Sequence, residues 1–135
     1  MKKHIMPLTI YCYDTDMGGV VYHANFLKFM DQARTEWIQS LGYSAFDWHG
    51  SSFYFVARHA ELDYLIPLTV NDTVEVVSYV HDMGRVSMKI MQYVRDVNDH
   101  EKIYFKGLIK IAAVDDKKRL CEIPVELREG MVGDQ

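Results

Sequence analysis

The sequence predicts an α+β domain in which one long helix lies against one face of a curled antiparallel β-sheet. Three observations predict it: an apolar stripe at helical spacing between Phe26 and Leu41, four strand-like runs after it, and connections between those runs too short for crossover helices. With 135 residues, 49% of them hydrophobic and 25% charged, the chain suits a single domain over residues 1–135 built on one core.

The elements follow in order. Leu8, Ile10 and Cys12 alternate with Thr9, Tyr11 and Tyr13, the period-2 pattern of a half-buried strand, so a first strand is expected to end near Tyr13. Phe26, Met30, Ala33, Trp37 and Leu41 then recur at spacings of four, three, four and four, which puts them on one helical face. Gly42 is the expected stop, giving a helix from about Asn25 to Leu41 with Asn25 as its N-cap. Arg34 and Glu36 are expected to face solvent or a subunit interface. Later strands are expected over Phe53 to Tyr64, Thr73 to His81, Arg85 to Arg95 and Ile103 to Val114, as antiparallel neighbours. Turn chemistry separates them at Pro67 and Asn71-Asp72, at Asp82-Met83-Gly84 and at Asn98-Asp99. Strand, long helix, then four strands is the hotdog outline. One helix cannot cover both faces of such a sheet, and Tyr79, Met91, Tyr93 and Tyr104 add apolar area, so part of it is expected to be buried against another subunit.

Composition excludes several functions. Nineteen acidic against 15 basic residues give a net charge of −4, and the longest basic run is Lys117-Lys118-Arg119, so a nucleic-acid partner is not expected. No stretch is apolar enough for a membrane span or a signal-peptide core, which predicts a soluble, cytoplasmic protein. Cys12 and Cys121 match no ligand spacing, and histidines 4, 49, 59, 81 and 100 are scattered, so no metal site is expected.

The chemistry concentrates between Tyr11 and Arg34, reading YCYDTDMGGVVYHANFLKFMDQAR. Asp14 and Asp16 follow an apolar strand, Gly18-Gly19 permits a tight turn, and Val20 to Asn25 leads into the helix. A carboxylate is thereby placed near a helix start, where unpaired backbone N–H groups and the dipole favour developing negative charge. Acyl transfer through a tetrahedral oxyanion needs both parts: donors for the oxygen and a carboxylate that attacks or activates water. An Asp pair beside glycines in a loop is most often turn chemistry, and Asp14 in particular is expected to fix the loop.

The string D-T-D-x-x-G-V-V-Y-H-A-N-F, followed by D-Q-A-R-T-E on the helix, closely resembles the 4-hydroxybenzoyl-CoA thioesterase family, in particular its YbgC-like bacterial acyl-CoA thioesterases. The resemblance continues weakly through Asp63-Tyr64, Pro67, Asn71-Asp72-Thr73 and Val114-Asp115 to Ile123-Pro124. It implies a hotdog fold assembled as homodimers or homotetramers with active sites at subunit interfaces, acting on acyl-CoA or acyl carrier protein thioesters without metal or prosthetic group. It implies Asp16 as nucleophile or general base and the backbone N–H of His23 as donor to the thioester carbonyl, the His23 side chain being a further acid/base candidate. Val21, Tyr22 and Asn25 would shape the substrate pocket, and Arg85, after the third strand, would contact coenzyme A phosphates. Asp63 and Tyr64 are explained equally by a contribution across an interface and by strand alternation.

Three other functions compete. A hotdog hydratase or dehydratase would need a His–carboxylate pair, and no segment resembles its motif. A binding module would hold acyl thioesters without turnover. A metal-dependent phosphatase of the haloacid-dehalogenase type shares the strand followed by D-x-D, but its doubly wound α/β architecture does not match one helix followed by a run of strands.

Overall fold

In the computed structural model, which describes residues 2–43 and 53–133, an antiparallel sheet of five strands carries helix α1 on one face. The elements are β1 (Lys3–Leu8), a short 3₁₀ turn (Cys12–Asp14), α1 (Asn25–Ser40), β2 (Tyr54–Tyr64), β3 (Val74–Met83), β4 (Ser87–Asp96), β5 (Ile103–Val114) and α2 (Val125–Val132). In space the strands run β1-β3-β4-β5-β2, every pairing antiparallel.

The helical stripe packs as its spacing predicts. Phe26, Met30, Ala33 and Trp37 are buried, joined by Phe29 and Ile38, and Leu41 packs partly buried against them. They meet Val74 and Val76 of β3, Met88, Ile90 and Val94 of β4, and Phe105, Ile109, Ile111 and Ala113 of β5. Each fully buried large side chain is worth about 1.5–3 kcal/mol relative to exposure. Contact is tight at Gly107, where a Cβ would lie 2.8 Å from Met30 Cε and 2.9 Å from Leu62 Cδ2. Gly42, with φ +91°, supplies the left-handed residue just past the helix.

Four expectations need correction. The first strand lies earlier than the alternation suggested, at Lys3–Leu8, because its ladder with β3 ends at the Leu8–Val74 pair. Beyond it the chain turns on local hydrogen bonds: Tyr11 N–H donates to Asp14 Oδ2 at 2.9 Å, and Asp14 N–H to the Tyr11 carbonyl at 2.9 Å. β2 and β3 follow one another in sequence yet are not neighbours, since β2 pairs with β5 at the opposite edge from β1. Helix α2 is a second helix that the strand–helix–strands outline lacked. Only eight residues long, it buries Leu127 and Met131 at i,i+4 spacing behind Pro124, a pair that could have revealed it.

The fourth correction concerns Arg34, which turns inward. Gln92, fully buried on β4, donates through Nε2 to the Met30 carbonyl and to Ser78 Oγ, both at 2.9 Å, and its Oε1 accepts from Arg34 Nη1 at 2.9 Å. Burial pulls the Arg34 guanidinium below its ordinary pKa, opposed by Asp31 one helical turn away. Glu36 is exposed as expected. Tyr104 is covered within the chain, its hydroxyl donating to Asp72 Oδ1 at 3.1 Å, whereas Tyr79, Met91 and Tyr93 stay half-buried on the face away from α1.

Candidate active site

The segment between the 3₁₀ turn and α1 folds back on itself. Tyr22 N–H donates to the Asp14 carbonyl at 3.1 Å, Thr15 and Val21 form an antiparallel bridge, and Asp16 N–H donates to the Val20 carbonyl at 2.9 Å. Met17-Gly18-Gly19 closes the tip. Gly19 has φ +80°, a left-handed conformation that costs a side-chain-bearing residue about 1–2 kcal/mol. At Gly18 a Cβ would stand 3.3 Å from Asp16 Oδ1, so the bare glycine lets the loop wrap the carboxylate.

The two aspartates have opposite surroundings. Asp14 is buried, with its carboxylate on Tyr11 N–H and its carbonyl accepting both Tyr22 N–H and Asn25 Nδ2, the latter at 2.8 Å. Asp16 is exposed at the tip, where Oδ1 accepts Gly18 N–H at 2.9 Å and Oδ2 has no hydrogen-bond partner among the described residues. The first arrangement holds a loop, and the second leaves a carboxylate oxygen open to water or substrate.

His23 stands at the mouth of α1. Its carbonyl accepts the Tyr64 hydroxyl at 3.2 Å and Phe26 N–H at 3.4 Å, while its own backbone N–H has no partner among the described residues. Ala24 occupies the N-cap position with no side-chain cap, so the positive end of the helix dipole is left uncovered there. Asn25 is therefore not the N-cap: as the first helical residue it ties the helix start to Asp14. The His23 ring lies against Tyr22 with centroids 4.4 Å apart and meets Tyr64 edge-on at 6.3 Å.

Tyr64, which the sequence left between two explanations, joins His23 within the same chain and packs on Phe26 and Phe105 at 5.7 and 5.2 Å. These two phenylalanines stack on each other at 4.4 Å, forming an aromatic floor below the helix mouth. Tyr22 is exposed, whereas the Val21 side chain is in the core and its N–H donates to the Leu68 carbonyl at 2.7 Å. Arg85 is not brought to Asp16. It sits past the end of β3 that lies away from Leu8, roughly 30 Å of strand from the fold-back, and is ion-paired with Glu122.

The histidines are dispersed. His4 stacks on Trp37, His59 lies 3.2 Å from Glu61, His81 is exposed and His100 is near Glu75, while His49 falls outside the described residues. Among the described residues no three His, Cys, Asp or Glu side chains gather as a metal-binding group.

A long helix laid on a curled five-stranded antiparallel sheet, with a carboxylate-bearing loop at the helix mouth, defines a hotdog-fold protein. The family model described as thioesterase-like superfamily matches residues 11–131, and the chain belongs to that family. An acyl-CoA thioester hydrolase YbgC of Escherichia coli is 30% identical over 112 residues, 83% of this chain and 82% of that protein. An acyl-CoA thioesterase YbgC of Haemophilus influenzae is 28% identical over 124 residues, 90% of this chain and 89% of that one. The same fold recurs in the 1,4-dihydroxy-2-naphthoyl-CoA thioesterase of Synechocystis, with a TM-score of 0.86 at 17% identity and 96% of each chain covered. A probable thioesterase of Bartonella henselae gives 0.82 at 23% identity, covering 91% of this chain and all of that one.

Proposed function

We propose that this protein hydrolyses acyl-CoA thioesters, with Asp16 as the catalytic carboxylate and the His23 backbone N–H as donor to the thioester carbonyl. The observation that carries the reading is the pairing, in one short segment, of an exposed carboxylate with an unpartnered N–H at an uncapped helix mouth. Family membership and the activities named for the YbgC relatives support the substrate class.

As general base, Asp16 takes a proton from water while the water oxygen attacks the thioester carbon. The carbonyl oxygen becomes an oxyanion held at His23 N–H, the C–S bond breaks, and the coenzyme thiolate leaves and is protonated. As nucleophile, Asp16 attacks directly, expels the thiolate and forms a mixed anhydride that water then opens. Tyr22, Tyr64 and the Phe26–Phe105 pair supply the apolar surroundings for an acyl group.

The working form is proposed to be a cytoplasmic homodimer or homotetramer of one-domain subunits. Two features support association: β2 is a long edge strand with one side unpaired, and Tyr79, Met91 and Tyr93 remain half-buried on the outer sheet face. The test is release of free thiol from short aliphatic, aromatic and long-chain acyl-CoAs, with and without a chelator, alongside sedimentation. Turnover unaffected by the chelator in an oligomer is the expected result. A fully active monomer would refute an interfacial site, and no turnover on any thioester would refute the hydrolase.

A further inference from the structure

The outer face of the sheet sets two lysines opposite each other beside a histidine. Residues 105, 107, 109, 111 and 113 of β5 face α1, so Leu108 and Lys110 point away from it. Register sets Lys110 opposite Lys89 of β4 on one side and opposite His59 of β2 on the other. Like charges directly opposite each other in a sheet are unfavourable, so the Lys89–Lys110 pairing is not explained by folding, even with Asp82 on the other side of Lys89.

Both strands flanking the row are bulged beside it. In β2 the register passes from Ala57 to His59 and leaves Arg58 as the extra residue, and in β3 it passes from Val80 to Asp82, which faces Lys89. Bulges re-aim side chains, and Arg58 turns toward the same open depression of about 460 Å³ that Lys89 and Lys110 line above Leu108. Glu61 at its rim lies 3.2 Å from His59 Nε2, whereas Arg58, Lys89 and Lys110 have no ion-pair partner among the described residues. Arg85, the residue expected to meet coenzyme phosphates, is by contrast already held by Glu122.

We infer that Arg58, Lys89 and Lys110 form a phosphate-binding site on the outer sheet face. Three cations without an ion-pair partner among the described residues, lining one shallow depression, suit a compact dianion with several acceptor oxygens, the chemistry of a phosphomonoester. The phosphates could come from the nucleotide end of acyl-CoA, which rests on the function proposed above, or from a separate phosphorylated ligand, which does not.

The experiment compares wild type with Lys89→Gln, Lys110→Gln and the double variant, using Lys117→Gln in the turn after β5 as a control for net charge. Adenosine 3′,5′-bisphosphate and inorganic phosphate are titrated calorimetrically at low salt. Wild type should bind saturably, and the double variant at least about tenfold more weakly, while the control is unchanged. The variants should melt no lower than wild type, since a repulsion is removed. KM is then measured for an acyl-CoA and for the matching acyl-pantetheine thioester. A rise confined to acyl-CoA assigns the site to coenzyme phosphates, and lost bisphosphate binding with unchanged KM assigns it to a separate ligand. The inference is overturned if neither anion binds wild type saturably, as for a surface that takes an acidic polypeptide instead, or if the double variant binds like wild type. Turnover of the pantetheine thioester by wild type reads the hydrolase proposal independently of these titrations.

Discussion

The fold-back before α1 has two halves of opposite character. Its base is buried: the Asp14 carboxylate accepts Tyr11 N–H and its backbone carbonyl accepts Tyr22 and Asn25, which ties the turn after β1 to the helix start. Its tip is exposed, with Asp16 accepting Gly18 N–H, and His23 beyond it has an N–H without a partner among the described residues. The same residue type two positions apart therefore serves stability in one place and is left available for chemistry in the other. The difference comes from burial, not from composition, since each carboxylate accepts one backbone N–H and only Asp14 is enclosed.

That contrast can be broken most sharply at Asp16. Asp16→Asn keeps size and most hydrogen-bonding capacity but loses charge and basicity, so kcat should fall at least about 100-fold with little change in melting temperature or in affinity for a non-hydrolysable analogue. If this variant keeps more than a tenth of wild-type kcat while Asp14→Asn is inactive, the catalytic carboxylate is Asp14. Asp14→Ala should show the reverse profile. It strands Tyr11 N–H and should cost about 1–3 kcal/mol in urea unfolding, with a smaller loss of kcat than Asp16→Asn gives.

Gly19→Ala sharpens the comparison at the tip by forcing a side chain into the left-handed region. A loss of about 1–2 kcal/mol is expected, together with reduced kcat because the tip carries Asp16. Equal stability of Gly19→Ala and wild type would show that the turn relaxes without strain. The smallest effect is expected from Tyr64→Phe, which removes one half-exposed hydrogen bond to the His23 carbonyl. Stability should change by no more than about 1 kcal/mol, and kcat/KM by less than about tenfold. A larger kinetic loss would make the hydroxyl a participant in the chemistry.

Much of this was legible in order along the chain. The α1 stripe, the Gly42 stop and the four later strands depend on spacing and turn residues within a few positions, and local periodicity reports such features directly. Asp16 was singled out by its place between a strand, a glycine pair and a helix start, and by family resemblance. Residues whose meaning depends on distant partners were harder. Arg34 reads as a surface charge until Gln92, 58 residues later, turns out to be buried beneath it. Tyr64 reads as one step of an alternating strand until β2 is laid at the edge that brings its hydroxyl to His23, 41 residues earlier.

The sequence by itself determined the class of fold, the helix face that makes the core and the segment proposed to carry the chemistry, because each is written in contiguous residues whose preferences agree. Tertiary structure alone decided which strands are neighbours, and with that the β2 edge, the burial of Arg34 against Gln92 and the row of His59, Lys110 and Lys89 across three strands. It also decided which of two nearby aspartates is spent on the fold. The physical reason is common to all of these: strand register and hydrogen-bond saturation are relations between residues far apart in sequence, and a one-residue slip in pairing would turn each side chain to the opposite face.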